Sequence, residues 1–249
     1  MFFSRSSSPK RSKEVIKNLY YFAENQMLDC NIYLISDENS GDIAIFDTGN
    51  GLSLKDLFEG MEKVNLDYVN IKKVFITHEH VDHVLGLYPL MKIMEKTPPE
   101  IFAYGKTAKI LKEGDEAQIF PGNLGISPSM FEVDIIPLKV TDLKEGKEIE
   151  VFSGFNFQIH YTPGHSLGSI SFYEPSKKVL IPGDLVFSGG SFGRYDFPGG
   201  SLKILQNSIK YVSDLDVKYL LPGHMGISDD GNRQIEYSYR MANSIGNYF

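Results

Sequence analysis

One cysteine, Cys30, occurs in 249 residues. A single thiol allows no intrachain disulfide and no cysteine-rich zinc cage, so a reducing compartment, the cytoplasm, is expected. Its surroundings, Asp29-Cys30-Asn31-Ile32-Tyr33-Leu34-Ile35, read as the opening of a strand, which makes Cys30 a structural residue in expectation, not a nucleophile. No apolar run approaches the roughly 18 residues that a bilayer span needs, and the N-terminal stretch has no apolar segment of the signal-peptide kind. Neither membrane insertion nor secretion is expected. Positive charge is also scarce: 25 Lys and Arg face 32 Asp and Glu, a net charge of −7. Five of those basic groups and one acidic group fall in the first 17 residues, leaving 20 basic against 31 acidic groups in the remainder. Such a field repels polyphosphates, so the expected partner is a small molecule and not nucleic acid.

What is present is an ordinary globular composition, 42% apolar and 12% aromatic. Residues 1–17, basic and Ser-rich, read as a flexible tail, and 18–249 as a single domain. Runs rich in β-branched and aromatic residues, bounded by Gly, Pro, Asp or Asn, predict strands near 32–35, 43–46, 74–76, 155–161, 169–173, 179–181 and 219–221. Leu202, Leu205, Ile209 and Val212 share a helical face after Ser201, a candidate N-cap, and weaker helical patterns cover 54–61, 85–94 and 107–111. The strands come in runs that helices interrupt irregularly, which fits a two-sheet sandwich with outer helices better than a strict βα alternation. Residues 120–146, with Pro121, Gly122, Gly125, Pro128 and Pro137, read as a long surface excursion.

The chemistry is concentrated in His78-Glu79-His80-Val81-Asp82-His83, directly after the strand at 74–76. Its His-x-His-x-Asp-His spacing would arise by chance in roughly 2 of 10,000 chains of this composition. Residues two apart share one side of an extended chain but lie about 200° apart on a helix, so His78 and His80 can converge on one ion only from a strand end or turn. Asp82 and His83 are adjacent and point differently, as a second ion beside the first would require. Three further strands end in the same way, at Thr162-Pro163-Gly164-His165, Ile181-Pro182-Gly183-Asp184 and Leu221-Pro222-Gly223-His224. Proline ends the pairing, glycine permits the turn, and the next side chain projects from the strand's end. Only His160 is left over, on a polar strand face with Asn156 and Gln158, and an exposed structural role is expected for it. Imidazole and carboxylate without thiolate suit zinc, with iron or manganese as alternatives, in an open catalytic site. Two such ions can share an ionised water and polarise an electrophile, which is hydrolytic machinery.

With these residues in place the sequence resembles the metallo-β-lactamase superfamily over nearly its whole length, from the hairpin ending Asp47-Thr48-Gly49 through the histidine motif to His165, Asp184 and His224 in order. The resemblance implies an α+β fold, the four-layer αβ/βα sandwich of that superfamily. It implies that His78, His80 and His165 hold one divalent ion, that Asp82, His83 and His224 hold the second, and that Asp184 bridges them. Asp82 would also be catalytic, orienting the attacking hydroxide, while Asp47 supports the site from behind. The segment Gly193-Arg194-Tyr195-Asp196-Phe197-Pro198-Gly199-Gly200 is similar to that of the glyoxalase II-like and persulfide dioxygenase branch. The 25 residues after His224 leave no room for the helical domain with which glyoxalase II grips glutathione. The expected function is that of a dinuclear hydrolase of a small thioester, ester or lactone. A mononuclear iron persulfide dioxygenase using His78, His165 and Asp184, and a metallo-β-lactamase-type nuclease, are the alternatives.

Overall fold

The computed structural model describes residues 9–120, 125–152 and 154–245. Its contacts divide the chain into two compact units, Met1–Asp142 with Val151–Ser153, and Leu143–Glu150 with Gly154–Phe249. Each unit has its own sheet and helices.

The first unit is built on a seven-stranded sheet whose spatial order follows the sequence: β1 (Ser12–Ile16), β2 (Leu19–Phe22), β3 (Ile32–Ser36), β4 (Ile43–Phe46), β5 (Ile71–Phe75), β6 (Glu100–Tyr104) and β7 (Val140–Leu143). From β1 to β4 the neighbours are antiparallel. From β4 to β6 they are parallel, so crossovers are required. Helix α1 (Leu54–Glu62) crosses from β4 to β5; α2 (Val81–Val84) and α3 (Leu87–Ile93) cross from β5 to β6; α4 (Gly105–Glu113) and α5 (Glu116–Ile119) follow. In β3 and β4 every apolar side chain is buried, as expected of strands covered on both faces. Leu54, Leu57 and Met61 recur on one face of α1 and join that core. The parallel pairing sets the end of β4 beside the end of β5, with Phe46 opposite Phe75, and the chemistry-bearing residues 47 and 77–83 leave the sheet side by side.

The second unit carries the sheet β8 (Glu148–Phe152), β9 (Phe155–Tyr161), β10 (Ile170–Glu174), β11 (Val179–Ile181) and β12 (Tyr219–Leu220), again in sequential spatial order. Because β10 is antiparallel to both β9 and β11, and β12 is parallel to β11, strands β9, β11 and β12 all run the same way. Their three Pro-Gly turns therefore emerge at one end of the sheet, two of them joined where Gly223 N–H donates to Gly183 O at 2.9 Å. Gly164 and Gly183 take positive φ, as the turn reading requires. Helix α6 (Leu202–Val212) begins at Ser201, whose side chain accepts from Ile204 N–H, and buries Leu205, Ile209 and Val212. Helix α7 (Gly231–Ile245) adds Ile235 and Ala242 to the same cluster.

Two sequence expectations change. Among residues 9–17 the chain is not a loose tail: Lys10 is fully buried on Asp29, and β1 pairs with β2. Residues 1–8 lie outside the described residues. Within 120–146, where 121–124 also lie outside the description, the chain is more than a surface excursion. Phe131, Val133 and Leu138 enter the first unit's core, Leu138 N–H donates to Leu111 O at 2.9 Å, and β7 closes the sheet.

Candidate metal centre

In the first unit the motif follows β5 directly. His78 and Glu79 lie in the loop, His80 is extended (φ −72°, ψ 153°) and caps α2, and Asp82 and His83 sit in that helix's first turn. This is the strand-end geometry that lets His78 and His80 share a side, their ring centroids 4.8 Å apart. The His83 ring approaches His78 to 4.1 Å. His78 and His83 are fully buried; Asp82 keeps 16% of its side chain in solvent. Glu79 turns away and accepts from Thr107 Oγ1 at 2.9 Å, which removes it from the donor set.

Asp47 organises these rings. It has a positive φ of 57°, and its Oδ1 accepts from Thr77 N–H at 2.8 Å. Its Oδ2 faces Thr77 Oγ1 at 2.8 Å and His83 Nδ1 at 2.9 Å, and Thr77 Oγ1 in turn meets His78 Nδ1 at 3.0 Å. A carboxylate only accepts, so His83 Nδ1 carries hydrogen and the Thr77 hydroxyl donates to Asp47. That hydroxyl has one hydrogen, so it accepts from His78 Nδ1–H. Both imidazoles are then fixed as Nδ1–H tautomers, leaving each Nε2 as a lone-pair donor. His83 Nε2 faces Asp82 Oδ2 at 4.0 Å. Cys30, Asp47 and His83 also cluster, but a proton already occupies the Asp47–His83 contact. Burial pushes the Cys30 thiol up to about 11, the state of an inert structural cysteine.

In the second unit the turns bring His165, Asp184 and His224 together. His165 Nε2 lies 3.5 Å and His224 Nε2 3.2 Å from the same oxygen, Asp184 Oδ2. His165 and Asp184 are buried, and His224 is 22% exposed with Phe187 packed edge-on at 5.7 Å. His165 Nδ1 meets the backbone carbonyl of Arg194 at 2.6 Å, so it too carries hydrogen, which leaves Nε2 as the ligating atom of the neutral ring. This donor set of buried imidazoles and carboxylates fits a divalent ion. His160 belongs to neither group: it stays on β9, half-buried, with Nδ1 2.7 Å from Tyr211 Oη. Arg194 Nε and Nη2 bind Asp196 at 2.9 and 2.7 Å, which holds the Asp196 carboxyl below its usual range.

The resemblance puts Asp47 behind the site; its three side-chain contacts are not legible in the sequence, because they depend on β4 and β5 being parallel neighbours. The Arg194 carbonyl had no sequence signal at all, since every residue carries one.

Among the described residues no helix is long and apolar enough to cross a membrane. The metallo-β-lactamase superfamily profile matches residues 26–224. The chain is 34% identical over 184 residues to the hydroxyacylglutathione hydrolase GloC of Haemophilus influenzae, covering 73% of this chain and 77% of that one. A metallo-β-lactamase family protein of Thermus thermophilus superposes with a TM-score of 0.70 over 93% of this chain and 81% of its own, at 22% identity, and shares its α+β sandwich fold. TTHA1623, solved in a di-iron-bound form, is 28% identical with a TM-score of 0.65, over 85% of this chain and 95% of its own. The chain belongs to the metallo-β-lactamase superfamily and is a metal-dependent hydrolase of that family.

Proposed function

We propose that the chain is a dinuclear hydrolase of small thioesters, esters or lactones. In this reading His78, His80 and His165 hold one ion, Asp82, His83 and His224 the other, and Asp184 is shared. The observation that carries it is the support of the rings: within their own units His78, His83 and His165 each engage Nδ1 with an oxygen, and the Nε2 atoms of His83 and His165 face carboxylate oxygens. Two divalent ions bound there would supply Lewis acidity and a water acidic enough to ionise near neutral pH. Asp82, partly open to solvent, accepts a hydrogen bond from the attacking water and orients it toward the substrate carbonyl. Zinc is the proposed metal; the di-iron relative makes iron the first alternative. The relative's name makes a hydroxyacyl-glutathione thioester the first substrate to try.

The test combines metal content with turnover. Protein made with zinc, iron and manganese all available should carry close to two equivalents by plasma mass spectrometry. His78→Ala should lower hydrolysis at least about a thousandfold, ~4 kcal/mol in barrier. A folded His78→Ala protein that hydrolyses as fast as the unaltered chain would defeat the reading. A single iron per chain with oxygen consumed on a glutathione persulfide would replace it by the dioxygenase.

A further inference from the structure

The loop 187–201 of the second unit is pinned at both ends. Phe187 N–H donates to Ser191 O at 2.9 Å, Val186 pairs with Phe192, and Ser238 Oγ donates to Ser191 O at 2.7 Å. Downstream, Gly200 N–H donates to Phe197 O and Ser201 N–H to Gly164 O, each at 2.8 Å. Between these pins the backbone runs against the site. A Cβ on Gly193 would overlap the Asp184 carbonyl oxygen and stand 2.9 Å from His165 Nδ1, and the next carbonyl is the one that receives His165 Nδ1–H. At that point the Arg194 guanidinium closes on Asp196 through two hydrogen bonds and lies over the Phe197 ring at 4.2 Å.

As an ion pair this contact stabilises little. Its side chains are 62% and 59% exposed, and it joins residues two apart, so it ties no distant parts of the fold. What it does close is the turn that carries the Arg194 carbonyl. A planar fork gripping a carboxylate at two points restricts rotation of the backbone between them, which a single-point contact does not. Second-layer groups that orient a ligating imidazole commonly alter metal affinity by 10- to 100-fold.

We propose that the Arg194–Asp196 fork is a latch: it holds the Arg194 carbonyl on His165 Nδ1 and so sets the affinity and geometry of the ion bound through His165 Nε2. This rests on the reading of His165 as a ligand. Arg194 and Asp196 are positioning residues, acting through the backbone of a surface loop.

The test uses the full chain freed of metal, with zinc titrated against a chromophoric chelator and cobalt(II) loaded for its visible spectrum. Asp196→Ala should weaken one zinc equivalent about tenfold and shift the cobalt bands, while the metal-free melting temperature stays within about 2 °C. Arg194→Ala with Asp196→Ala together should weaken binding no more than either alone, because both remove the same latch. Asp214→Ala removes the comparably exposed Lys210–Asp214 pair at the C-terminal end of α6 and should leave binding unchanged. Unaltered affinity and spectrum in a normally melting Asp196→Ala protein would overturn the latch, as would an equal loss in Asp214→Ala. If Asp196→Ala fails to fold, Arg194→Lys keeps the charge without the fork and carries the same expectation. His165→Ala separates the two readings. If it leaves both zinc equivalents intact, the ligand assignment fails; if it weakens one and Asp196→Ala does not, the latch alone fails.

Discussion

In the first unit the Nδ1 atoms of His78 and His83 lead, directly or through Thr77, to one carboxylate, Asp47, that is 2% exposed. In the second, His165 Nδ1 leads to a main-chain carbonyl on a loop whose neighbouring side chains, Arg194 and Asp196, are mostly in water. Both arrangements fix the same tautomer, yet they respond to change differently. A buried carboxylate is an anchor that a single substitution deletes, and its loss leaves several donors stranded. A carbonyl cannot be deleted; it can only be moved, so its position depends on backbone shape, on Gly193 and on whatever closes the loop.

Removing the carboxylate is the harshest way to break that comparison. Asp47→Ala strands His83 Nδ1–H and Thr77 N–H in a buried site and places alanine at a positive φ, so it should cost at least about 3 kcal/mol in urea unfolding of the metal-free protein. No substitution of Arg194 should approach that figure, because any residue there keeps the carbonyl. Gly193→Ala sharpens the contrast from the other side: the methyl overlaps the Asp184 carbonyl, and overpacking of this kind costs about 1–3 kcal/mol. Its effect should exceed that of Asp196→Ala in melting temperature and at least equal it in zinc affinity.

The smallest expected effect concerns His160, which belongs to neither group of candidate ligands. Burial beside Tyr211 and Tyr173 lowers its pKa from the ordinary 6.5. The unfolded chain then binds this proton more readily than the folded one, so the contribution is present above pH 6.5 and declines as the pH falls below it. Stability curves of His160→Gln should be flatter than those of the unaltered chain on that acid side. An unchanged slope would remove the assignment.

The contrast also explains what the sequence disclosed. The His-x-His-x-Asp-His motif and the three Pro-Gly turns were legible because side-chain identity and turn chemistry are written residue by residue, and β9, β11 and α6 fell where their patterns indicated. Strands β1 and β8 were not legible: Ser-Lys-Glu-Val-Ile and Glu-Ile-Glu-Val-Phe read as polar surface until a neighbouring strand pairs with them. Helix α7 escaped notice for a similar reason, its apolar positions being few and interleaved with Asn, Arg, Gln and Glu. Lys10 was assigned to a tail because charge was counted without its partner, and that partner, Asp29, lies 19 positions away.

That buried lysine ties residue 10, through Asp29, to the loop that follows β4. Asp29 also accepts from Ser53 Oγ at 2.8 Å, and its Oδ1 lies where a Cβ on Gly49 would stand, 2.6 Å away. Replacing Lys10 by a neutral residue would do more than remove one surface charge, because the ammonium is fully buried. It would take away the buried ammonium that faces Asp29, and an unneutralised carboxylate would remain against the loop that runs on from Asp47. Damage done at the tenth residue would then be felt at His83.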